Sequence, residues 1–289
     1  MAEQSFPQMT PLGSSRPSRW WQVLLVGIAL FFLGVVVLIL TGNPNLIPAV
    51  IILGNFTVPV AYVAFFYQRQ HLSRLNLADM GNAFVLGGLL GVFAASLVEP
   101  FFVLGLNFLT AFEVGLIEEL VKIIGVLLVV RHRPHNSELD GLLLGAAAGM
   151  GFAALESTGY AFVAFLLSHG SLSTTVGVIL LRGFLAPAGH GTWTAILASV
   201  LFRESRPGHY RIDRLLVGTY LLVSILHGLW DGLPTLLSTF VSQGLDLLIA
   251  QLIVAIIGFA ILAYRWREAT RRERERRESQ GTMPQAEPG

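Results

Sequence analysis

Eight stretches of about 20 or more mostly apolar residues run along the 289-residue chain. A helix needs about 20 such residues to cross the hydrocarbon core of a bilayer. The stretches are too long for a membrane β-barrel, whose strands are roughly 10-residue segments of alternating polarity. The sequence therefore predicts an all-α, polytopic membrane helix bundle with about eight transmembrane helices. The predicted spans are 21–40, 46–67, 81–109, 112–130, 141–168, 174–202, 213–237 and 244–264. The third contains Glu99-Pro100, where it could kink or end at an interfacial segment. Pro187 and nearby glycines, Gly189 among them, loosen the sixth around His190.

The composition excludes several classes of protein. Charged residues make up only 13% of the chain, whereas a soluble domain has about 25%, so this chain has too few to cover a water-facing surface. The net charge is +1 and the basic residues do not gather in one patch, so we expect no nucleic-acid partner. The chain has no cysteine, which excludes disulfides, thiolate metal ligands and a cysteine nucleophile.

The basic residues predict which side of the membrane each connection faces, because Lys and Arg collect in cytoplasmic loops. Outside the predicted spans, they lie before span one and after spans two, four, six and eight. All these segments are on one side of the membrane, so we expect both termini to be cytoplasmic. We divide the chain into a polar N-terminal segment 1–19, an eight-span membrane domain 20–264 with a functional core at about 110–237, and a charged cytoplasmic tail 265–289.

Ionisable residues inside the predicted spans are the second unusual feature of the sequence. A charged group at the middle of a membrane helix costs about 2.5–3.5 kcal/mol on insertion scales, so such residues usually pair inside the bundle or carry out a function. The residues concerned are Glu99, Glu113, Glu118, Glu119, Lys122, Glu156, Arg182, His190, His227, Asp231 and Asp246.

The depth of these residues in the membrane indicates which of them could meet. Counted from the outer end of each span at 1.5 Å per residue, Glu119, Glu156, His190, His227 and Asp231 lie roughly 9 to 24 Å deep. This range runs from the outer half to around the midplane of a hydrocarbon core about 30 Å thick. Four helices thus carry acids and imidazoles at overlapping depths.

Local spacing adds detail, because residues four positions apart share one face of a helix. His227 and Asp231 have this spacing, so Asp231 could take part directly or hold the His227 imidazole in orientation. Glu118 and Lys122 also have it, which allows a structural ion pair. Glu119 is rotated by about 100° from Glu118 and points elsewhere, or the two glutamates exchange these roles. We interpret Arg182 as a counter-ion or as a side chain that reaches to the outer interface, rather than as a catalytic group.

Two imidazoles with several carboxylates are typical zinc ligands, at about 2.0–2.2 Å from the metal. A bound zinc ion activates water, and a remaining glutamate could act as general base. The chain has no HExxH motif, so such ligands would come from separate helices.

Four sequence blocks resemble one known family. They are EELVK at 118–122, FAALE at 152–156, GHGTW around His190 and HGLWD at 227–231. In this order, on successive spans, they resemble the PrsW intramembrane metalloproteases, which share a clan with CAAX prenyl proteases and Abi-type membrane proteases. The prenyl-protease branch has His where this chain has Glu156, and often Asn where it has Asp231.

The resemblance implies roles for particular residues. The catalytic residues that it implies are Glu118, Glu119, Glu156, His190, His227 and Asp231. The metal ligands that it implies are Glu119, Glu156, His190 and His227. The expected cofactor is Zn²⁺, and a metal-free mechanism with a glutamate-activated water stays open.

The resemblance also implies an activity and a location. The chain is expected to be an intramembrane endopeptidase that cuts a single-span membrane protein, with an anti-sigma factor cut at its outer side as the family's type of substrate. We expect a multi-pass protein of the bacterial cytoplasmic membrane, in contact with lipid and of undetermined oligomeric state. The alternatives are a proton- or cation-coupled transporter with an intramembrane Glu/His relay and a non-catalytic scaffold with a structural polar core.

Overall fold

A computed structural model describes residues 19–69, 72–105, 107–131, 137–205, 210–242 and 244–281. Within these residues the chain forms nine α-helices and two short 3-10 helices, and no strand. The α-helices are α1 (Trp20–Thr41), α2 (Ile47–Tyr67), α3 (Leu77–Phe102), α4 (Thr110–Val130), α5 (Glu138–Leu167), α6 (Leu172–Leu185), α7 (His190–Glu204), α8 (Arg214–Leu237) and α9 (Leu245–Gly281). Apart from Arg19, the predicted N-terminal segment 1–19 lies outside the described residues, as do the last eight residues of the tail.

The all-α membrane fold predicted from the apolar runs is confirmed. In the described part of the chain, seven helical segments are long and apolar enough to cross a membrane, with α6 and α7 counted as one. Helix α4 coincides with the predicted span 112–130 but is not among these seven, because it carries three glutamates and a lysine. The side of the membrane on which the termini lie stays a prediction.

The third predicted span is shorter than expected. It was predicted to reach residue 109, but α3 ends at Phe102, two residues after Pro100. Proline cannot donate a helical hydrogen bond and clashes with the preceding turn, so helices tend to end near it. The chain then turns at Asn107, whose side-chain oxygen accepts hydrogen bonds from the backbone N–H groups of Leu109 and Thr110 at 2.9 and 3.1 Å, where α4 begins.

The sixth predicted span, 174–202, is interrupted. Helix α6 ends at Leu185, a 3-10 turn covers Ala186–Ala188, and α7 begins at His190. Pro187 lacks the N–H group that a continuous helix needs, and Gly189 adopts a non-helical backbone conformation (φ −97°, ψ −122°). The interruption therefore places an imidazole in the first turn of a new helix, deep inside the bundle.

Helix α9 is 37 residues long and ends at Gly281, well beyond the predicted end of span eight at residue 264. The described part of the charged tail is thus a helical extension of the last span. Arg265 forms an ion pair with Glu138 at the start of α5, with 2.7 Å between Nη2 and Oε1. Further along, Arg277 donates a hydrogen bond to the carbonyl oxygen of Leu72 at 2.9 Å. The extension therefore packs against the same end of the bundle as the start of α5.

Helix α5 is the centre of the bundle, with α3 and α7 packed closely on it. The approach is possible because glycines face both neighbours. A Cβ atom on Gly149 would overlap the carbonyl oxygen of His190, and one on Gly151 would overlap that of Phe84. Small residues at helix contacts allow such close approach in membranes. Gly149 thus helps to set the distance between α5 and the start of α7.

We expect Gly149→Ala to destabilise the protein by about 1–3 kcal/mol, because the added methyl group must push α7 away from α5. Gly159→Ala is the matched control on the same helix, since a Cβ there has no atom within 4 Å. That control is expected to be neutral or to stabilise α5 by up to about 1 kcal/mol. The thermal unfolding temperature in detergent measures both effects, and equal temperatures for the two variants would contradict this packing.

Candidate active site

Helices α4, α5, α7 and α8 bring their ionisable side chains together in one buried cluster. The ring centroids of His190 and His227, on α7 and α8, are 5.0 Å apart. Around these rings lie the carboxylates of Glu118, Glu119, Glu156 and Asp231. The structure thus brings together all six residues that the resemblance implies as catalytic.

Lys122 lies at the centre of the cluster and is fully buried, with 0% exposure. Its ammonium group donates to Glu118 Oε2 at 3.0 Å and to Glu119 Oε1 at 2.8 Å. It also lies 2.7 Å from His190 Nδ1 and 4.1 Å from the centre of the Phe152 ring. The ion pair expected within α4 is therefore present, and the same lysine connects α4 to α5 and α7.

Each imidazole is held by a carboxylate at one of its two nitrogens. His190 Nε2 lies 3.1 Å from Glu156 Oε2, and His227 Nδ1 lies 3.2 Å from Glu119 Oε1. If these nitrogens carry the protons, the unprotonated nitrogens are His190 Nδ1, which faces the Lys122 ammonium at 2.7 Å, and His227 Nε2. These two atoms lie 3.8 and 3.6 Å from Glu118 Oε2. A carboxylate on the far nitrogen is the usual environment of a metal-binding histidine.

The donor set fits a divalent metal ion. One ligand atom each from Glu118, His190 and His227 lie within 4.8 Å of one another, which identifies a candidate three-residue site in the described part of the chain. Ligands about 2.0–2.1 Å from a tetrahedral zinc ion are about 3.4 Å apart, close to the separations of Glu118 from the two imidazoles. A metal ion there would compete with the Lys122 ammonium for His190 Nδ1.

The two glutamates that the resemblance assigned to the metal, Glu119 and Glu156, have other contacts here. Besides His227, Glu119 accepts a hydrogen bond from Thr194 Oγ1 at 3.1 Å. Glu156 Oε2 lies 2.6 Å from Arg182 Nη2, so the arginine acts as its counter-ion. In this geometry Glu118, rather than these two, lies between the free imidazole nitrogens.

Asp231 connects the cluster to a cavity. Its Oδ2 atom lies 3.4 Å from His227 Nε2, and its side chain is 30% exposed. Together with His190 it lines a cavity of about 270 Å³ formed by residues of α5, α6, α8 and α9. Water and a ligand in this cavity can therefore reach the His190 imidazole and the Asp231 carboxylate.

Two neighbours of the cluster were not identified from the sequence. Thr194 donates to Glu119, and the Trp193 ring packs on that of His227 with centroids 4.8 Å apart. Trp193 and Thr194 lie three and four residues after His190, so they share its face of α7. That spacing is the signal that could have found them.

Fold and site together define a polytopic membrane protein with a buried carboxylate–imidazole centre suited to hydrolysis. A family model described as the PrsW family of intramembrane metalloproteases matches residues 78–263. This range includes α4 to α8 and all six expected site residues. The chain belongs to the PrsW family of intramembrane metalloproteases.

Curated relatives agree with this assignment. The chain is 28% identical to Protease PrsW of Halalkalibacterium halodurans over 187 residues, which are 62% of this chain and 80% of that protein. It is 25% identical to Protease PrsW of Bacillus subtilis over 187 residues, covering 63% and 81% of the two chains. No solved structure gives a significant match. The predictions of family, of an intramembrane protease and of a bacterial integral membrane protein are thereby confirmed.

We expect Lys122→Met to lower the free energy of unfolding by about 3–5 kcal/mol, because removing one partner of a buried ion pair leaves the others unpaired. Leu120→Ala is the control, since Leu120 lies on the same helix but is 47% exposed on the outer surface of the bundle. Thermal unfolding of both variants in detergent measures the difference. If Lys122→Met unfolds at the temperature of the control, the lysine does not hold the cluster together.

Proposed function

We propose that the protein hydrolyses a peptide bond of a single-span membrane protein, in the outer half of the bilayer. An anti-sigma factor is the type of substrate that the PrsW resemblance implies. The observation that carries the proposal is the meeting of Glu118, His190 and His227 beside a cavity inside the bundle. Such a centre can act on a peptide bond that is otherwise shielded from water by lipid.

We assign Glu118, His190 and His227 as the residues that would hold Zn²⁺. In this assignment Glu119 and Glu156 position the imidazoles, since each lies at the nitrogen that faces away from Glu118. When bound, the ion would polarise the scissile carbonyl group and make a water molecule more acidic. This differs from the ligand set implied by the resemblance, in which Glu119 and Glu156 bind the metal directly.

Asp231 is the carboxylate best placed to receive the proton of the attacking water. It lines the cavity through which water and substrate reach the centre, and a general base must lie within hydrogen-bond reach of the proton it accepts. It can then deliver that proton to the amine that leaves. In the metal-free alternative Glu118 would activate the water, because it lies near both free imidazole nitrogens.

The transporter alternative has less support. Many transporters are built from two repeats, with interrupted helices at matching positions in both. In the described part of the chain, the clear interruption at mid-membrane is the one between α6 and α7. Membership of a protease family also favours hydrolysis.

We expect Glu118→Gln and His227→Ala, which remove assigned metal ligands, and Asp231→Asn, which removes the assigned general base, each to lower cleavage of synthetic single-span peptides by at least about 10²-fold. The matched control is His169→Ala, since His169 is exposed at the turn between α5 and α6. Mass spectrometry of the products measures cleavage, and thermal unfolding shows that each variant folds. A folded Glu118→Gln or His227→Ala variant with wild-type turnover would refute the assigned centre.

A further inference from the structure

The cavity beside the centre has a polar lining that the proposed chemistry does not use. Besides His190 and Asp231, it is lined by Ser157 and Arg182 on one side and by Gln251 of α9 on the other. Polar side chains are costly inside a membrane unless they face the bundle interior or a wet cavity, and there they usually mark a site. The question is which ligand would satisfy them.

Gln251 is the most informative of these residues. It is only 7% exposed, and its Oε1 atom has no hydrogen-bond partner among the residues that the structure describes. Burying an amide oxygen without a partner costs roughly 1–3 kcal/mol. The oxygen itself is buried, so a ligand in the cavity would recover that cost once the Gln251 amide turns toward it and accepts a hydrogen bond.

Arg182 offers the complementary group. Its Nε atom donates to Ser157 Oγ at 2.9 Å, and its Nη2 atom is paired with Glu156 at 2.6 Å. These two contacts, and the Tyr160 ring 4.1 Å from Cζ, hold the guanidinium group in place. Among the described residues its Nη1 atom has no hydrogen-bond partner, so two N–H groups remain for another acceptor. The cavity therefore presents an acceptor at Gln251 and a fixed donor at Arg182.

The interruption of the sixth span lies at the same cavity. Ala186 and Gly189, from the 3-10 turn and the residue after it, contribute to the lining. Inside a bilayer, non-helical backbone is tolerated only where it is buried in protein or lines a wet cavity. The same rule applies to a substrate, because an unwound peptide segment in the membrane needs partners for its own N–H and C=O groups.

We propose that this cavity is the peptide-binding cleft and that it takes a non-helical segment of the substrate. Gln251 accepts a hydrogen bond from a backbone N–H group, and Arg182 donates one to a backbone carbonyl. The segment then passes His190 and Asp231, where the bond is cut. This inference rests on the proposed function, and it makes Gln251 a substrate-binding residue outside the catalytic centre.

Cross-linking tests the cleft directly, because the chain has no cysteine of its own. The probe is a synthetic single-span peptide with one cysteine in a glycine-containing stretch next to its outer end. Gln251→Cys and Leu252→Cys are compared in a Glu118→Gln background, so that the peptide is bound but not cut. Leu252 is the matched control, since it is the next residue on α9 and is 61% exposed on the outer surface of the bundle.

A short bifunctional thiol reagent is expected to join the peptide to the Gln251→Cys variant and not to the Leu252→Cys variant. Equal cross-linking of both variants, or cross-linking of neither, would contradict the proposal that this cavity binds the peptide. Cleavage of the same peptide by the cysteine-free chain is measured in parallel. Cleavage without cross-linking refutes the cleft and leaves the proposed function, whereas cross-linking without cleavage supports the cleft and counts against the peptidase.

A kinetic measurement separates binding from folding. We expect Gln251→Leu to raise KM for a cleaved peptide about 3- to 10-fold with kcat unchanged, the loss of one neutral hydrogen bond. The variant should fold at least as well as the wild type, because it removes a buried oxygen that has no partner among the described residues. An unchanged KM, or a fall in kcat alone, would contradict a role in binding substrate.

Discussion

A buried ammonium group with three polar partners is the interaction on which the centre of this protein depends. Lys122 is bound by Glu118 and Glu119 on its own helix and lies against His190 on α7. A lone charge in hydrocarbon is so costly that it must pair inside the bundle. The pairing forces α4 and α7 together and concentrates the ionisable side chains of four helices in one place.

The same constraint connects structure to activity. Acids and imidazoles inside a membrane need hydrogen-bond partners, and those without a protein partner must face a cavity that admits water. Glu119 and Glu156 each hold one imidazole nitrogen, which leaves the opposite nitrogens for a ligand. The cavity that Asp231 and Gln251 line supplies the opening through which water and a peptide can enter.

The sequence predicts the fold well, because apolar length alone defines a membrane helix. It also identifies Pro187 and Gly189 as the weak point of the sixth span, although not that a new helix begins at His190. Pro100 explains the early end of α3, but it does not predict that Asn107 then accepts hydrogen bonds from the backbone of Leu109 and Thr110. That contact depends on how the two helices connect, which apolar length does not specify.

The sequence allowed us to predict how deep in the membrane the site residues lie. Counting residues along the spans places the acids and imidazoles at overlapping depths, and the structure brings their side chains together. Pairings across the bundle could not be read in this way, because Lys122 and His190 are 68 residues apart and their contact depends on the rotation of each helix. For the same reason, the sequence did not single out Gln251, a polar residue in an otherwise apolar span.

The account rests on the claim that Glu118, His190 and His227 form one metal centre inside the bundle. A crystal structure of the protein grown with zinc, with anomalous data at the zinc edge, tests this claim most directly. We predict one anomalous peak about 2.0–2.2 Å from a carboxylate oxygen and two imidazole nitrogens of these residues, with the Lys122 ammonium moved away from His190. A map with no peak there, and with Lys122 still bound to His190 Nδ1, would contradict the account.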